Sequence, residues 1–141
     1  MRHLVIAIAL CACGGGTLEL EPLGDYTAWK RIDTRGFTPG HGDTYRIIYV
    51  NDLASQPGGQ RSVGAILVKE VYDNIDDQPG ALQAIEIMRR IRPVSVASGD
   101  QGGWLFTGAA TPGGAETEKT TCWRRCHVQA PFAGAWMDYS R

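Results

Sequence analysis

The residues with the clearest chemical signal are two cysteines and a histidine near the C-terminal end of the chain. Cys122, Cys126 and His127 lie together in the string TCWRRCH. Two thiols about one helical turn apart, followed by an imidazole, suit covalent attachment of haem c: the thiols add across the porphyrin vinyl groups, and the histidine ligates the iron. The usual motif is CxxCH, and this one has an additional residue between the cysteines. Positions i and i+4 share a helix face, so the longer spacing can still direct both sulfurs to one porphyrin edge.

Other interpretations of these residues stay open. Cys122 and Cys126 could form a disulfide in a haem-free envelope protein, although an i, i+4 pair in a regular helix is poorly shaped for one. With His41, the motif could form a Cys2His2 zinc site, which adjacent Cys and His residues disfavour. A turn or surface position is the simpler interpretation of His41. Met88 and Met137 could occupy the sixth iron position, but core packing is the simpler role for each.

The N-terminus predicts export. A short basic head precedes an apolar segment too short to span a bilayer, and the string LCACGGG resembles a bacterial lipobox with its flexible tether. Residues 1–13 are therefore predicted to be a signal peptide and lipobox, with Cys13 lipid-modified, and residues 14–22 a tether. An ordinary secretory signal is the alternative. We expect a periplasmic protein attached to the membrane through Cys13 alone.

Composition limits the function classes for the remaining domain, residues 23–141. The formal net charge of −1 gives no support for nucleic-acid binding. No later apolar run is long enough for a membrane span. A domain of this length has room for a modest core and one buried cofactor.

Periodicity predicts an α+β fold: a single domain with an antiparallel β-sheet of four to five strands and flanking helices at both ends. Strands rich in β-branched and aromatic residues are expected at 45–51, 63–72, 84–90 and 104–107, with a helix at 25–30. Turns are expected at 56–59, 76–80 and 98–103. Adjacent apolar residues such as Ile47 and Ile48 indicate that both sheet faces are buried, by helices on one side and a cofactor or second subunit on the other. A homodimer is therefore plausible.

The chain resembles the cytochrome P-460 and cytochrome c′-beta family of small exported haem c domains with a mainly antiparallel sheet. The similar stretches, in order, are Trp29, HGDTYRIIYVNDLA, GAILVKE, IEIMRR, GGWLF, CWRRCHVQAP and DYS. The resemblance implies that Cys122 and Cys126 are the thioether anchors and that His127 is the proximal iron ligand, with the opposite iron face open. Some members oxidise hydroxylamine and carry a lysine cross-linked to the porphyrin. Others bind nitric oxide or carbon monoxide without turnover.

Three charged residues inside apolar strands are candidates for catalysis. Lys69 could be the cross-linked lysine, but pairing with a nearby carboxylate such as Glu70 or Glu86 is the favoured interpretation. Arg46 and Glu86 could point into a pocket and hydrogen-bond or move protons for a nitrogen substrate. They could equally form the solvent-facing half of an alternating pattern.

The sequence thus predicts an exported haem c protein that binds or oxidises small nitrogen species, such as hydroxylamine or nitric oxide, at an open iron site. Whether it is an enzyme stays open. An oxidising member would pass electrons to a partner cytochrome. The alternatives are a haem-free envelope lipoprotein with a Cys122–Cys126 disulfide, and an electron-transfer cytochrome.

Overall fold

A computed structural model describes residues 20–95 and 99–141. The predicted signal peptide, the lipobox with Cys13 and most of the predicted tether lie outside the described residues. Within these two ranges, no helix is both long enough and apolar enough to cross a membrane.

A six-stranded antiparallel sheet forms the body of the domain, and each strand pairs with the next one along the chain. The strands are β1 (Lys30–Thr38), β2 (Gly42–Val50), β3 (Ile66–Ile75), β4 (Gln78–Arg90), β5 (Trp104–Ala109) and β6 (Thr117–Glu118). One α-helix, α1 (Thr121–Arg125), follows the sheet. Short 3-10 helices span Tyr26–Ala28, Gly59–Arg61, Gln101–Gly103 and His127–Gln129.

The predicted antiparallel sheet is confirmed, and its four predicted strands correspond to β2–β5. The expected helix at 25–30 is wrong: the chain makes one 3-10 turn at Tyr26–Ala28, and Lys30 already begins β1. The sequence analysis missed β1 because polar residues occupy it at alternate positions, a pattern that gives no apolar run. At the C-terminal end, the expected helix is only five residues long.

The hairpin between β3 and β4 is tighter than the predicted turn at 76–80. Only Asp76 and Asp77 separate the strands, and both have positive φ angles, 49° and 62°. Two-residue hairpin turns with positive φ at both positions match the right-handed twist of the flanking strands. Pro79 therefore lies inside β4, paired with Asn74.

Strand register places the candidate charged residues on one face of the sheet. Ile48 lies opposite Lys69, and Lys69 lies opposite Glu86 on the next strand. Residues directly opposite each other in adjacent strands project from the same face, and so do residues two apart in one strand. Arg46, two residues before Ile48, therefore shares this face.

Both faces of the sheet are buried, as the sequence predicted. The face that carries Ile48 packs against the C-terminal segment, and its buried cluster is Ile48, Val50, Ala54, Ala65, Leu67, Trp104, Phe106, Ala135 and Tyr139. The opposite face carries a second cluster of Tyr26, Tyr45, Ile47, Tyr49, Val68, Ile85 and Ile87. Glu70 is buried on that second side, where the hydroxyls of Tyr26 and Tyr72 each donate to its carboxylate at 2.7 Å.

A buried arginine at the end of β4 connects three loops to the sheet. Arg90 is 1% exposed, and its guanidinium donates to the carbonyl oxygens of Gln60 at 3.2 Å, of Gly102, and of Ala133 at 2.7 Å. The same group lies 4.0 Å from the ring centroid of Trp104. Burial lowers the pKa of Arg90 to about 10, so the side chain stays charged at neutral pH.

Replacing this arginine should cost more stability than replacing an exposed one. Arg90→Met keeps an apolar stem but leaves the carbonyls of Gln60 and Gly102 without this donor, so we expect the free energy of unfolding to fall by about 3 kcal/mol. Arg31→Met, which removes an exposed pair with Asp33, should cost less than about 1 kcal/mol. Denaturant unfolding of both variants checks this, and equal losses would contradict the structural role of Arg90.

Candidate functional site

A cavity of about 450 Å³ lies between the C-terminal segment and the face of the sheet that carries Ile48. All six residues that the sequence analysis named as site candidates line it: Arg46, Lys69, Glu86, Cys122, Cys126 and His127. They come from three strands and from the segment after the sheet, so the fold brings together residues separated by up to 81 positions in sequence. His41, Met88 and Met137 line the same cavity.

The cysteines lie at the start and the end of one helical turn. Cys122 is in α1, and Cys126 ends the helix, with its backbone N–H donating to the carbonyl oxygen of Cys122 at 3.2 Å. His127 then begins a 3-10 helix. Both thiols are free, and burial raises the pKa of the Cys122 thiol. The motif therefore presents two unpaired thiols and an imidazole to one cavity.

The imidazole of His127 is fixed by a backbone carbonyl and an aromatic ring. Its Nδ1 lies 2.7 Å from the carbonyl oxygen of Gly134, and the ring centroid lies 4.9 Å from that of Phe106. A carbonyl can only accept, so Nδ1 carries the proton and Nε2 remains as the nitrogen able to ligate a metal. Burial lowers the pKa of His127, which keeps the ring in its neutral form.

The carbonyl that orients His127 belongs to a segment that Arg90 also holds. Ala133, with φ of 53°, accepts hydrogen bonds from Arg90 and from Trp104 Nε1, the latter at 2.7 Å. Gly134 follows with φ of 91°, and a Cβ there would lie 2.8 Å from Trp104 Nε1. A hydrogen-bonded partner on the second ring nitrogen is what fixes the tautomer of a metal-ligating histidine. The sequence analysis missed Arg90 and Gly134, because 43 residues separate Arg90 from its partner Ala133 and no local pattern marks the pair.

A cluster of three ionisable side chains lies in the same cavity. Lys69 Nζ is 2.5 Å from Glu86 Oε2 and 3.0 Å from His41 Nε2, while His41 Nδ1 is 3.7 Å from Glu86 Oε2. Burial alone would raise the pKa of Glu86, but the Lys69 ammonium outweighs it and holds that pKa below its usual range. Of the two carboxylates offered as partners for Lys69, the structure pairs it with Glu86.

The structure confirms only part of what the sequence analysis expected of His41. The residue lies in the turn between β1 and β2, but its side chain is 22% exposed and lines the cavity. Burial, followed by the Lys69 charge, lowers the pKa of His41. A Cys2His2 zinc site is not formed: in the described ranges, no three His, Cys, Asp or Glu residues are arranged to hold a metal ion.

Arg46 is held by polar groups in the wall of the cavity. Its Nε donates to Thr34 Oγ1 at 3.1 Å, and its Nη1 donates to the carbonyl oxygen of Gly36 at 3.2 Å and to Thr44 Oγ1 at 3.1 Å. The residue is 7% exposed, and burial lowers its pKa. Arg46 is therefore a fixed, buried positive group in the wall of the cavity.

Comparison with known protein families decides the assignment. Residues 23–133 match the model of the cytochrome P-460 family, which is most of the chain. The chain belongs to the cytochrome P-460 family. No curated protein sequence matches it. Family membership makes the chain a haem-binding cytochrome and confirms the resemblance drawn from the sequence.

The residues that line the cavity are of the kinds that a haem requires. Its volume lies within the range of about 300 to 1,000 Å³ found for ligand pockets. Apolar residues such as Ile48, Leu67 and Phe106 line it, and the free Nε2 of His127 provides a nitrogen ligand for iron. The described residues thus provide both the apolar wall and the donor atom that a haem requires.

The ion pair in this cavity makes stability depend on acid pH. Because Lys69 holds the pKa of Glu86 below the ordinary value of about 4.5, ionised Glu86 contributes stability that is present above that pH and is lost as pH falls through the lower, folded-state pKa. When the pH is lowered from 7 to 3, the free energy of unfolding measured with denaturant should therefore fall less for Glu86→Gln than for the wild type. The difference should be below about 1 kcal/mol, since the Glu86 side chain is 35% exposed. Glu118→Gln, an exposed substitution in β6, should leave the wild-type profile unchanged.

Proposed function

We propose that this cytochrome holds haem c in the cavity and that it binds or oxidises small nitrogen species such as nitric oxide or hydroxylamine. One observation carries the proposal: Cys122, Cys126 and His127 line the same cavity as the Lys69–Glu86 pair. When bound, the haem would supply an iron site for a small ligand and a route for electrons.

Attachment would use the two thiols. Each S–H bond would add across a vinyl C=C bond, so that sulfur bonds to one carbon, hydrogen goes to the other, and no oxidant is consumed. Both thiols are free and lie within one helical turn, as the reaction requires. His127 Nε2 would hold the iron, and the Gly134 carbonyl would keep its ring in the correct tautomer.

Covalent attachment can be tested by mass and by absorption. Protein from a host that matures haem c should retain a porphyrin mass adduct after denaturation and give a pyridine haemochrome of the c type. Cys122→Ala and Cys126→Ala should each leave at most one thioether, which shifts the haemochrome band. An isolated chain without haem, two protons lighter than its reduced form, would instead establish the disulfide protein.

The charged residues would act on the bound nitrogen species. Glu86 lies in the cavity as a carboxylate that can accept a proton, and the Lys69 ammonium stabilises its ionised form. Arg46 adds a fixed positive group in the wall, suited to an anionic or oxygen-bearing ligand. These residues can orient a small polar molecule and receive its protons.

The Lys69 ammonium has two polar partners in the cavity, Glu86 and His41, and these contacts suit an unmodified lysine. In the gas-binding branch of the family the lysine would keep these partners, whereas in the hydroxylamine-oxidising branch it would be bonded to the porphyrin. A cytochrome that binds gas or transfers electrons without turnover is therefore the second candidate function.

Absorption spectra of variants distinguish the two branches. With an unmodified lysine, Lys69→Ala should leave the Soret band of the reduced protein in place, and the reduced protein should bind carbon monoxide. Lys119→Ala, which removes another cavity-lining lysine, is the matched control. A wild-type band shifted strongly to the red and restored by Lys69→Ala alone would contradict this and establish the cross-link.

The oxidising branch has a further signature in the same experiment. Hydroxylamine-dependent reduction of an electron acceptor should then slow by about a hundredfold or more in Glu86→Gln, because a proton acceptor is lost. Glu118→Gln should retain the wild-type rate. Carbon monoxide binding without any hydroxylamine-dependent reduction leaves the gas-binding function.

We also propose export to the periplasm and lipid attachment at Cys13, with a redox cytochrome as the electron partner. The proposal rests on the basic head, apolar core and LCACGGG string of the first residues. Haem c suits that oxidising compartment, because the porphyrin consumes the two thiols that would otherwise tend to form a disulfide.

A further inference from the structure

The turn between β1 and β2 carries His41 into the haem cavity. Gly40 and Gly42 flank it with φ angles of 84° and 69°, values that side-chain-bearing residues rarely adopt. A Cβ at Gly40 would lie 3.5 Å from Cys126 Sγ, so the turn lies close to the cysteine motif. The position of His41 is therefore set by a turn whose backbone depends on these two glycines.

The polar contacts of His41 assign its tautomer. An ammonium has only donors, so His41 Nε2, 3.0 Å from Lys69 Nζ, must be the unprotonated acceptor. The ring proton then resides on Nδ1, which faces Glu86 Oε2 at 3.7 Å. Lys69 also contacts Glu86 directly, and the three side chains close a ring of polar contacts.

We propose that His41 is a positioning residue of the cavity: it accepts a hydrogen bond from the Lys69 ammonium on Nε2, keeps its protonated Nδ1 near Glu86, and thereby couples the protonation of Glu86 to its own. The 22% of the His41 side chain that remains exposed gives this cluster a contact with water. This role rests on the proposed function, in which Glu86 accepts protons from the bound nitrogen species.

The charges around His41 predict how it responds to substitution. The charged and titratable groups acting on it are Lys69, Glu86, Arg46 and His127. Burial and Lys69 lower the pKa of His41, Glu86 raises it, and Arg46 and His127 lower it further. Removing Lys69 should therefore raise the pKa of His41, and neutralising Glu86 should lower it.

Nuclear magnetic resonance of the histidine ring nitrogens tests the proposal. The sequence has three histidines, one of them His3 in the predicted leader, so the exported protein should give only the His41 and His127 signals. The diamagnetic carbon monoxide complex of the reduced protein is the sample, or the haem-free protein if no haem is attached. The wild type should show His41 with its proton on Nδ1.

Opposite responses of two variants complete the test. In Lys69→Met, the titration midpoint of His41 should rise by about one pH unit, because the positive charge beside the ring is lost. In Glu86→Gln, the midpoint should fall. Lys119→Met, the cavity-lining control, should reproduce the wild type.

A wild-type ring with its proton on Nε2 would overturn the proposal, and so would equal midpoint shifts in Lys69→Met and Lys119→Met. The wild-type tautomer is decisive even if a variant fails to fold. Absence of haem with the Nδ1-protonated ring intact would refute the proposed function and keep the His41 assignment. Haem attachment with the other tautomer would refute the assignment alone.

Discussion

The buried charge of Arg90 is the constraint on which the rest of the structure depends. A guanidinium out of contact with water must have hydrogen-bond partners, and three loop carbonyls together with the Trp104 ring supply them. Meeting that requirement fixes the Ala133 carbonyl, and the next carbonyl, of Gly134, orients His127, the residue proposed to bind iron. The position of His127 Nε2 thus depends on the buried Arg90, which is not among the residues that line the cavity.

The cavity combines two requirements that conflict. A haem needs a dry, apolar wall, whereas Lys69, Glu86 and His41 need polar contacts to offset their desolvation. The fold resolves the conflict by register: Lys69 and Glu86 are cross-strand neighbours, so each is the other's counter-ion, and the β1–β2 turn adds the third partner. Pairing offsets part of the cost of taking such partly buried charges out of water.

The sequence alone revealed features formed by residues that are neighbours in the chain. It did not reveal features that form only when distant residues meet in the fold. The four central strands and the cysteine–histidine motif are local patterns, and both were found. β1 escaped detection because its polar residues alternate, and the long apolar runs that marked β2 and β3 are absent from it. The pairing of His41 with Lys69 and Glu86 gave no signal, since these partners lie 28 and 45 positions away in the chain. Charge pairs and histidine tautomers depend on tertiary contacts of this kind, which no single-sequence pattern records.

The two outer strands of the sheet bear on how copies of this protein behave at high concentration. An unpaired strand edge is a template on which the strand of another molecule can add, and long apolar edges lead to aggregation. Here one edge, β6, is only two residues long, and the other, β1, carries Arg31, Asp33 and Arg35 at alternate positions. Short length protects the first edge and charge protects the second, so edge-to-edge polymerisation of the sheet is disfavoured on both sides.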